Sequence, residues 1–400
     1  MKNFTYLLIL AALCVGFSAF WIGGYGHLAQ APLPPLLVVQ GAHRSLHAEL
    51  TNVTDRTGLV ALAARISGRA AEGSSPGSFV HQWPGFHADA RFRGHSMSVR
   101  LADDVNRWRI TIDRGANGTV EVSRPGSADV KITGLSDDVH SVRIEKMSES
   151  PAPAFFGGLF VETGKALPPP PLDNRLIEFI GDSDTVGFGD TSKRRACNKD
   201  ESFAATDTTA SFGPRVSSAF GADYRMIARS GAGLVRNYAG VDAEKTIPQL
   251  YDRALPDDGS TQPTPQPPAD VVVVAIGSND FGSDLQPHER WPDYSKLRPD
   301  FETALIQFVR SRHRENPHAL LVLLAFGENG DELVGAYRAA DTVLRLEGAR
   351  NALVILPKLE RKGCNFHPSL HDHAVIADML IAAIDAAEPG WRKSGLIIHH

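Results

Sequence analysis

The chain has 400 residues, 42% of them hydrophobic and 22% charged, a balance that suits a globular protein of two domains better than one. Its formal net charge of −5 at pH 7 argues against a nucleic-acid partner, because phosphate binding rests on a basic surface. The longest run of Lys and Arg is Lys193-Arg194-Arg195.

Residues 1–31 stand apart from the rest. Lys2 precedes an apolar run from Tyr6 to Trp21, and small residues follow as far as Ala29-Gln30-Ala31. This reads as an export signal with an A-x-A cleavage site, so the mature protein is expected to be secreted or periplasmic. The run is also near the lower length limit of a membrane span, so an uncleaved N-terminal anchor is the alternative. Cys14 lies in the run, but Ala11-Ala12-Leu13 before it matches a lipoprotein cleavage box poorly.

Residues 32–165 predict a β-sandwich or jelly roll. The runs FHADARFRG, MSVRLADD, WRITIDRG, GTVEVSRPG, ADVKITGL and VHSVRIEKM alternate apolar and polar positions between turn residues. Trp83, Phe86 and Trp108 fall among them; they could form a sugar platform, although aromatics in a sandwich more often fill its core. ALPPPPLDN, residues 166–174, then stops regular structure, because consecutive prolines lack backbone N–H groups and favour an extended rod. It reads as a stiff linker.

From residue 175 to 396 the pattern changes. LIEFI, VVVVAI, ALLVLLAF and ALVIL are near-continuous apolar runs, as expected of parallel strands buried on both faces. Helical patterns lie between and after them, including Phe301 to Arg312 and Ala374 to Ala387. The expectation is a three-layer α/β domain built on a parallel sheet.

Reactive-looking residues recur beyond the carboxyl ends of these runs, where open α/β sheets build sites. Ser183 follows LIEFI in FIGDSDTVGFGDTS, Ser230-Gly231-Ala232-Gly233 follows YRMIA, Gly277-Ser278-Asn279-Asp280 follows VVVVAI, and His367-Pro368 comes after ALVIL. Taken alone, Ser183 could be a turn former whose hydroxyl bonds local backbone, and the lipase-type elbow G-x-S-x-G is absent. Together the four blocks supply a hydroxyl nucleophile, an imidazole base and neutral donors for a developing oxyanion. Cys197 and Cys364 are the two cysteines beyond the signal. In an oxidising compartment they are candidates for one disulfide, with two buried thiols as the alternative.

The blocks GDS at Gly181 to Ser183, SGAG at Ser230 to Gly233, GSND at Gly277 to Asp280 and the late His367 resemble those of the SGNH, or GDSL-like, hydrolases. The β-rich front half, the proline run, ARSGAGLVRNY, TIPQLYDRALP and GCNFHPSLHDH narrow the resemblance to carbohydrate esterase family 2. That family pairs a jelly roll with an SGNH domain and removes acetyl groups from polysaccharides such as xylan and glucomannan. The resemblance implies that Ser183 attacks the ester, that His367 is its base, and that the oxyanion hole is made by the Ser183 N–H, the Gly231 N–H and the Asn279 amide. It implies structural roles for Asp182 and Asp280, an acetylated polysaccharide or oligosaccharide as the partner, and no cofactor. His367, His371 and His373 invite a metal reading, but a helix starting at Pro368 would make them diverge, so no metal site is expected. Two rival readings stay open: a general short-chain lipase or esterase, and a non-catalytic carbohydrate-binding protein on a hydrolase scaffold.

The chain departs from the family pattern at the third triad member. SGNH enzymes commonly carry an Asp three residues before the His, and family 2 esterases often read D-W-H-P. Here those positions hold Cys364 and Asn365. The prediction is a Ser183–His367 dyad, its imidazole oriented by a backbone carbonyl or by Asn365, with Asp372 as the alternative third member.

Overall fold

Two grammars of burial organise the chain. A computed structural model describes residues 35–40, 46–52, 56–171 and 175–392. Residues 1–31, expected from the sequence to be an export signal, residues 172–174 of the proline segment, and His399 and His400 lie outside the described residues.

In the front half, strands such as Arg107–Ile112, Gly118–Ser123 and Val139–Lys146 bury every second side chain, and the front-half pairings are antiparallel among the described residues. Among the described residues they form one sheet of six strands and one of seven. Ala88, Ile110 and Ile144 from the first sheet share a core with Val99, Val130 and Leu159 from the second, which makes the pair a sandwich. Phe86 and Trp108 are edge to face at 6.0 Å inside this core. Trp83, 1% exposed, packs into the core of the back half and donates its indole N–H to the Arg253 carbonyl at 3.0 Å. These three aromatics are therefore packing residues and present no platform.

The back half has a five-stranded parallel sheet in the order Asp223–Ala228, Leu176–Gly181, Val271–Ala275, Leu320–Phe326 and Asn351–Leu356. One face packs under Tyr294–Glu315 and Asp331–Leu346, the other under Phe212–Phe220 and Leu370–Ala387. Burial on both faces is why these strands read as continuous apolar runs. The helix Tyr294–Glu315 begins one to two turns earlier than the sequence suggests. Asp293 caps it by accepting from the Lys296 N–H at 3.1 Å, and Pro299 is carried inside it.

The halves meet directly. Asp223, which opens its strand, accepts from Ser67 and from His87 Nε2 at 2.7 Å. Burial works to raise the Asp223 carboxyl, but His87, Ser67 and Arg65 hold it well below the usual range. The proline segment is not a free rod up to Pro171: Ala166 bridges to Phe92, and the Pro171 carbonyl accepts from Arg65 at 3.0 Å.

Candidate active site

Ser183 starts a single helical turn, Ser183–Val186, directly after the buried strand Leu176–Gly181. The side chain of Asp182 caps that turn by accepting from the Asp184 N–H at 3.0 Å, and Gly187 ends it at φ 80°. Burial, reinforced by the charge of Asp184, pushes the Asp182 carboxyl well above the usual range, against the pull of the Asp184 N–H that it caps. Parallel pairing sets the neighbours: Gly181 is in register with Ala228 on one side and Ala275 on the other. The SGAG and GSND segments therefore leave the sheet beside Ser183.

Gly231 has φ 80°, a left-handed conformation that favours glycine. Among the described residues no acceptor takes its N–H, whereas the Gly233 N–H is spent on Asn237 at 2.9 Å. The Asn279 amide donates to the Ala232 carbonyl at 2.8 Å, which uses one of its two hydrogens and ties GSND to SGAG. Asp280 completes that tie. Its carboxylate accepts from the N–H groups of Leu234, Val235 and Arg236 at 2.8 to 2.9 Å. Burial raises the Asp280 carboxyl to about 6, against the pull of those three donors.

His367 arrives on the loop after Asn351–Leu356. Its Nε2 lies 2.9 Å from Ser183 Oγ, and its Nδ1 lies 2.9 Å from the Cys364 carbonyl. Ser183 is 8% exposed, and the Phe188 ring packs 4.6 Å from the imidazole. A bond from Nδ1–H to a carbonyl leaves Nε2 as an acceptor, the tautomer that can take a proton from the hydroxyl.

Asn365 does not orient the ring. It sits at φ 51°, and its amide reaches towards Ser202 at 3.5 Å. Asp372 is equally committed elsewhere. It is the N3 member of the capping box that opens the helix Leu370–Ala387 under the N-cap Ser369, accepting from the backbone N–H groups of Ser369, Glu360 and Arg361 at 2.8 to 3.0 Å and from the Ser369 hydroxyl. His371 is exposed, while His373 is buried with Nδ1 accepting from the Phe212 N–H at 3.3 Å, so the late histidines do not converge.

Cys197 and Cys364 are joined by a disulfide spanning 167 residues, with Cα atoms 5.4 Å apart. The loop after Ser183 locks against the same region. The Gly189 carbonyl accepts from the Cys364 N–H at 3.0 Å, and a Cβ at Gly189 would fall 2.3 Å from the Cys364 Cβ. Sequence reasoning missed Arg361, which touches both sides of this site: its guanidinium forks onto Asp184 at 2.8 and 3.0 Å and reaches the Phe366 carbonyl at 3.3 Å. RKG carries no motif that would have marked it.

Residues 66–171 match the carbohydrate esterase 2 N-terminal family, and residues 179–368 match the GDSL-like lipase/acylhydrolase family. The chain is 31% identical over 322 residues to an acetylxylan esterase/glucomannan deacetylase of Cellvibrio japonicus, a match covering 80% of this chain and 88% of that one. The chain belongs to carbohydrate esterase family 2. Solved relatives agree. A carbohydrate esterase whose active site is described as having divergent catalytic and non-catalytic binding functions is 30% identical, with a TM-score of 0.77 over 83% of this chain and all of that one. A family two carbohydrate esterase of Clostridium thermocellum, solved with cellohexaose, is 25% identical, with a TM-score of 0.69 over 82% of this chain and 100% of that one. This family 2 member is thus an esterase with the two-domain architecture of its relatives.

Proposed function

We propose that the protein is an exported serine esterase that removes acetyl groups from plant-type polysaccharides or oligosaccharides. The observation that carries the reading is the 2.9 Å contact between Ser183 Oγ and His367 Nε2, with Nδ1 held on a carbonyl. Ser183 Oγ attacks the acetyl carbonyl carbon while its proton passes to Nε2. The Ser183 and Gly231 N–H groups and the Asn279 amide receive the oxyanion. Collapse breaks the bond to the sugar oxygen, which takes the proton from His367, and water then repeats the sequence to release acetate. The Cys364 carbonyl orients the imidazole but brings no full negative charge to the imidazolium, so the machinery is a dyad. The acetylated glycan is favoured over a lipid ester by the activity named for the Cellvibrio relative. Export is favoured by the sequence of residues 1–31 and by a disulfide that persists in oxidising compartments.

The test is acetate release from acetylated xylan, acetylated glucomannan and a lipid ester in parallel. The parent should release acetate from a glycan in preference to acyl chains from the lipid, and Ser183→Ala should release none while its circular dichroism is unchanged. Activity of Ser183→Ala within tenfold of the parent would remove Ser183 as nucleophile.

A further inference from the structure

One guanidinium spans the two loops that must meet for the reaction just proposed. Arg361 lies between the strand Asn351–Leu356 and the turn Cys364–Phe366, with a left-handed backbone at φ 49°. Its two Nη atoms fork onto Asp184, the residue after Ser183, at 3.0 and 2.8 Å. Nη1 also donates to the Phe366 carbonyl, the residue before His367, at 3.3 Å. Nε donates to Glu328, on the turn after the strand Leu320–Phe326. The backbone N–H of Arg361 is itself held by Asp372 at 3.0 Å.

A left-handed backbone at a residue other than glycine persists only where its surroundings over-determine it. Here Asn365 and Phe366 also have positive φ, of 51° and 63°, so three strained residues stand within the loop that delivers His367. The disulfide at Cys364, the Cys364 N–H bond to Gly189 and the bonds of Asp372 to the Glu360 and Arg361 N–H groups hold parts of that loop. The fork is the side-chain tie that joins it to the residue after Ser183. Its geometry suits a carboxylate as no lysine can, because two parallel N–H groups meet two oxygens in one plane. Asp184 is fully committed to it. Burial would raise its carboxyl, yet Arg361 keeps it below the usual range.

We infer that Arg361 is a positioning residue that sets His367 against Ser183 by clamping Asp184 and the Phe366 carbonyl in one guanidinium. The inference rests on the Ser183–His367 reading above. It assigns to Arg361 part of the orienting work that a triad aspartate does elsewhere. The residue touches neither nucleophile nor base; it acts on the residue next to each.

The experiment compares Arg361→Lys, Arg361→Met and the double variant Arg361→Met/Asp184→Asn with the parent on 4-nitrophenyl acetate, measuring kcat, KM, circular dichroism and thermal midpoint. Arg361→Met leaves Asp184 buried without its partner and loses stability for that reason alone. The double variant removes the orphaned charge and should recover most of the thermal midpoint. Positioning predicts that kcat in the folded double variant and in Arg361→Lys stays about thirtyfold or more below the parent, with KM within threefold. A merely structural role predicts that kcat returns with stability. Folded Arg361→Lys or double variant with kcat within threefold of the parent overturns the inference, and so does failure of all three variants to fold. Ser183→Ala in the same assay keeps the two readings apart: an inactive Ser183→Ala beside fully active Arg361 variants sinks the inference alone, and an active Ser183→Ala sinks the reading beneath it.

Discussion

The imidazole of His367 stands between the Ser183 hydroxyl and the Cys364 carbonyl. In the proposed reaction the Cys364 carbonyl fixes the ring plane and the tautomer, while an aspartate would add charge to the imidazolium. Asp372 cannot supply that charge, since its oxygens are spent on Ser369, Glu360 and Arg361. Asp372→Ala should therefore cost stability, about 1 to 2 kcal/mol for the lost N3 half of the capping box and its bonds to the Glu360 and Arg361 N–H groups, and leave kcat within about tenfold. Asn365→Ala should leave kcat within about threefold, because its side chain faces Ser202. Steady-state kinetics beside thermal unfolding would check both. A thousandfold fall in kcat for folded Asp372→Ala would mean a full triad.

At the scale of elements, the site is a seam between two loops, residues 187–190 and 363–370. The Gly189 and Asp190 carbonyls accept from Cys364 and Leu370, and the disulfide ties Cys364 to Cys197, just ahead of the helix Lys199–Ala205. Cross-linking a loop of 167 residues is worth roughly 5 kcal/mol in the chain-entropy model. Because Cys364 also presents the carbonyl for His367, reduction should lower the thermal midpoint and reduce kcat together, by several-fold to about thirtyfold. Thermal unfolding and assay with and without reductant, with alkylation to count thiols, would check this. Full rate and an unchanged midpoint in protein with both thiols alkylated would oppose it. The parallel strands were legible because burial on both faces writes an uninterrupted apolar run. Ser183, Asn279 and His367 were legible because a resemblance marked their blocks. The strand Ala154–Glu162 was not, since Gly157 and Gly158 interrupt its alternation at a register shift, where a Cβ at Gly157 would strike Arg100. The short strands at Ala64–Ser67, Ala70–Glu72 and Phe79–His81 are too brief for a period to register. Arg361 was hidden because its carboxylate partners Asp184 and Glu328 lie far away in sequence, and spacing records only local relations.

Across the whole molecule, the sandwich reaches the reaction centre as well as bracing it. Trp83 anchors in the other core, Arg109 pairs with Asp207, and Glu149 accepts from the Ser230 N–H at 2.8 Å. Ser230 precedes Gly231, so a front-domain carboxylate steadies the segment expected to receive the oxyanion. Glu149→Ala should lower kcat on an aryl acetate by about tenfold, the value of one hydrogen bond to a charged group, with KM little changed. Glu149→Gln should restore most of the rate, because an amide oxygen can accept the same N–H. Equal loss in both variants would contradict this role. The central claim, that the assembled protein is a serine esterase whose nucleophile is Ser183, is tested most directly by covalent trapping. The full protein is treated with a 4-nitrophenyl phosphonate ester, and the modified peptide is mapped by mass spectrometry. The account predicts one adduct per chain, on Ser183, formed in step with loss of acetyl esterase activity and not formed in His367→Ala. An adduct on another residue, or full activity in protein quantitatively labelled at Ser183, would contradict it.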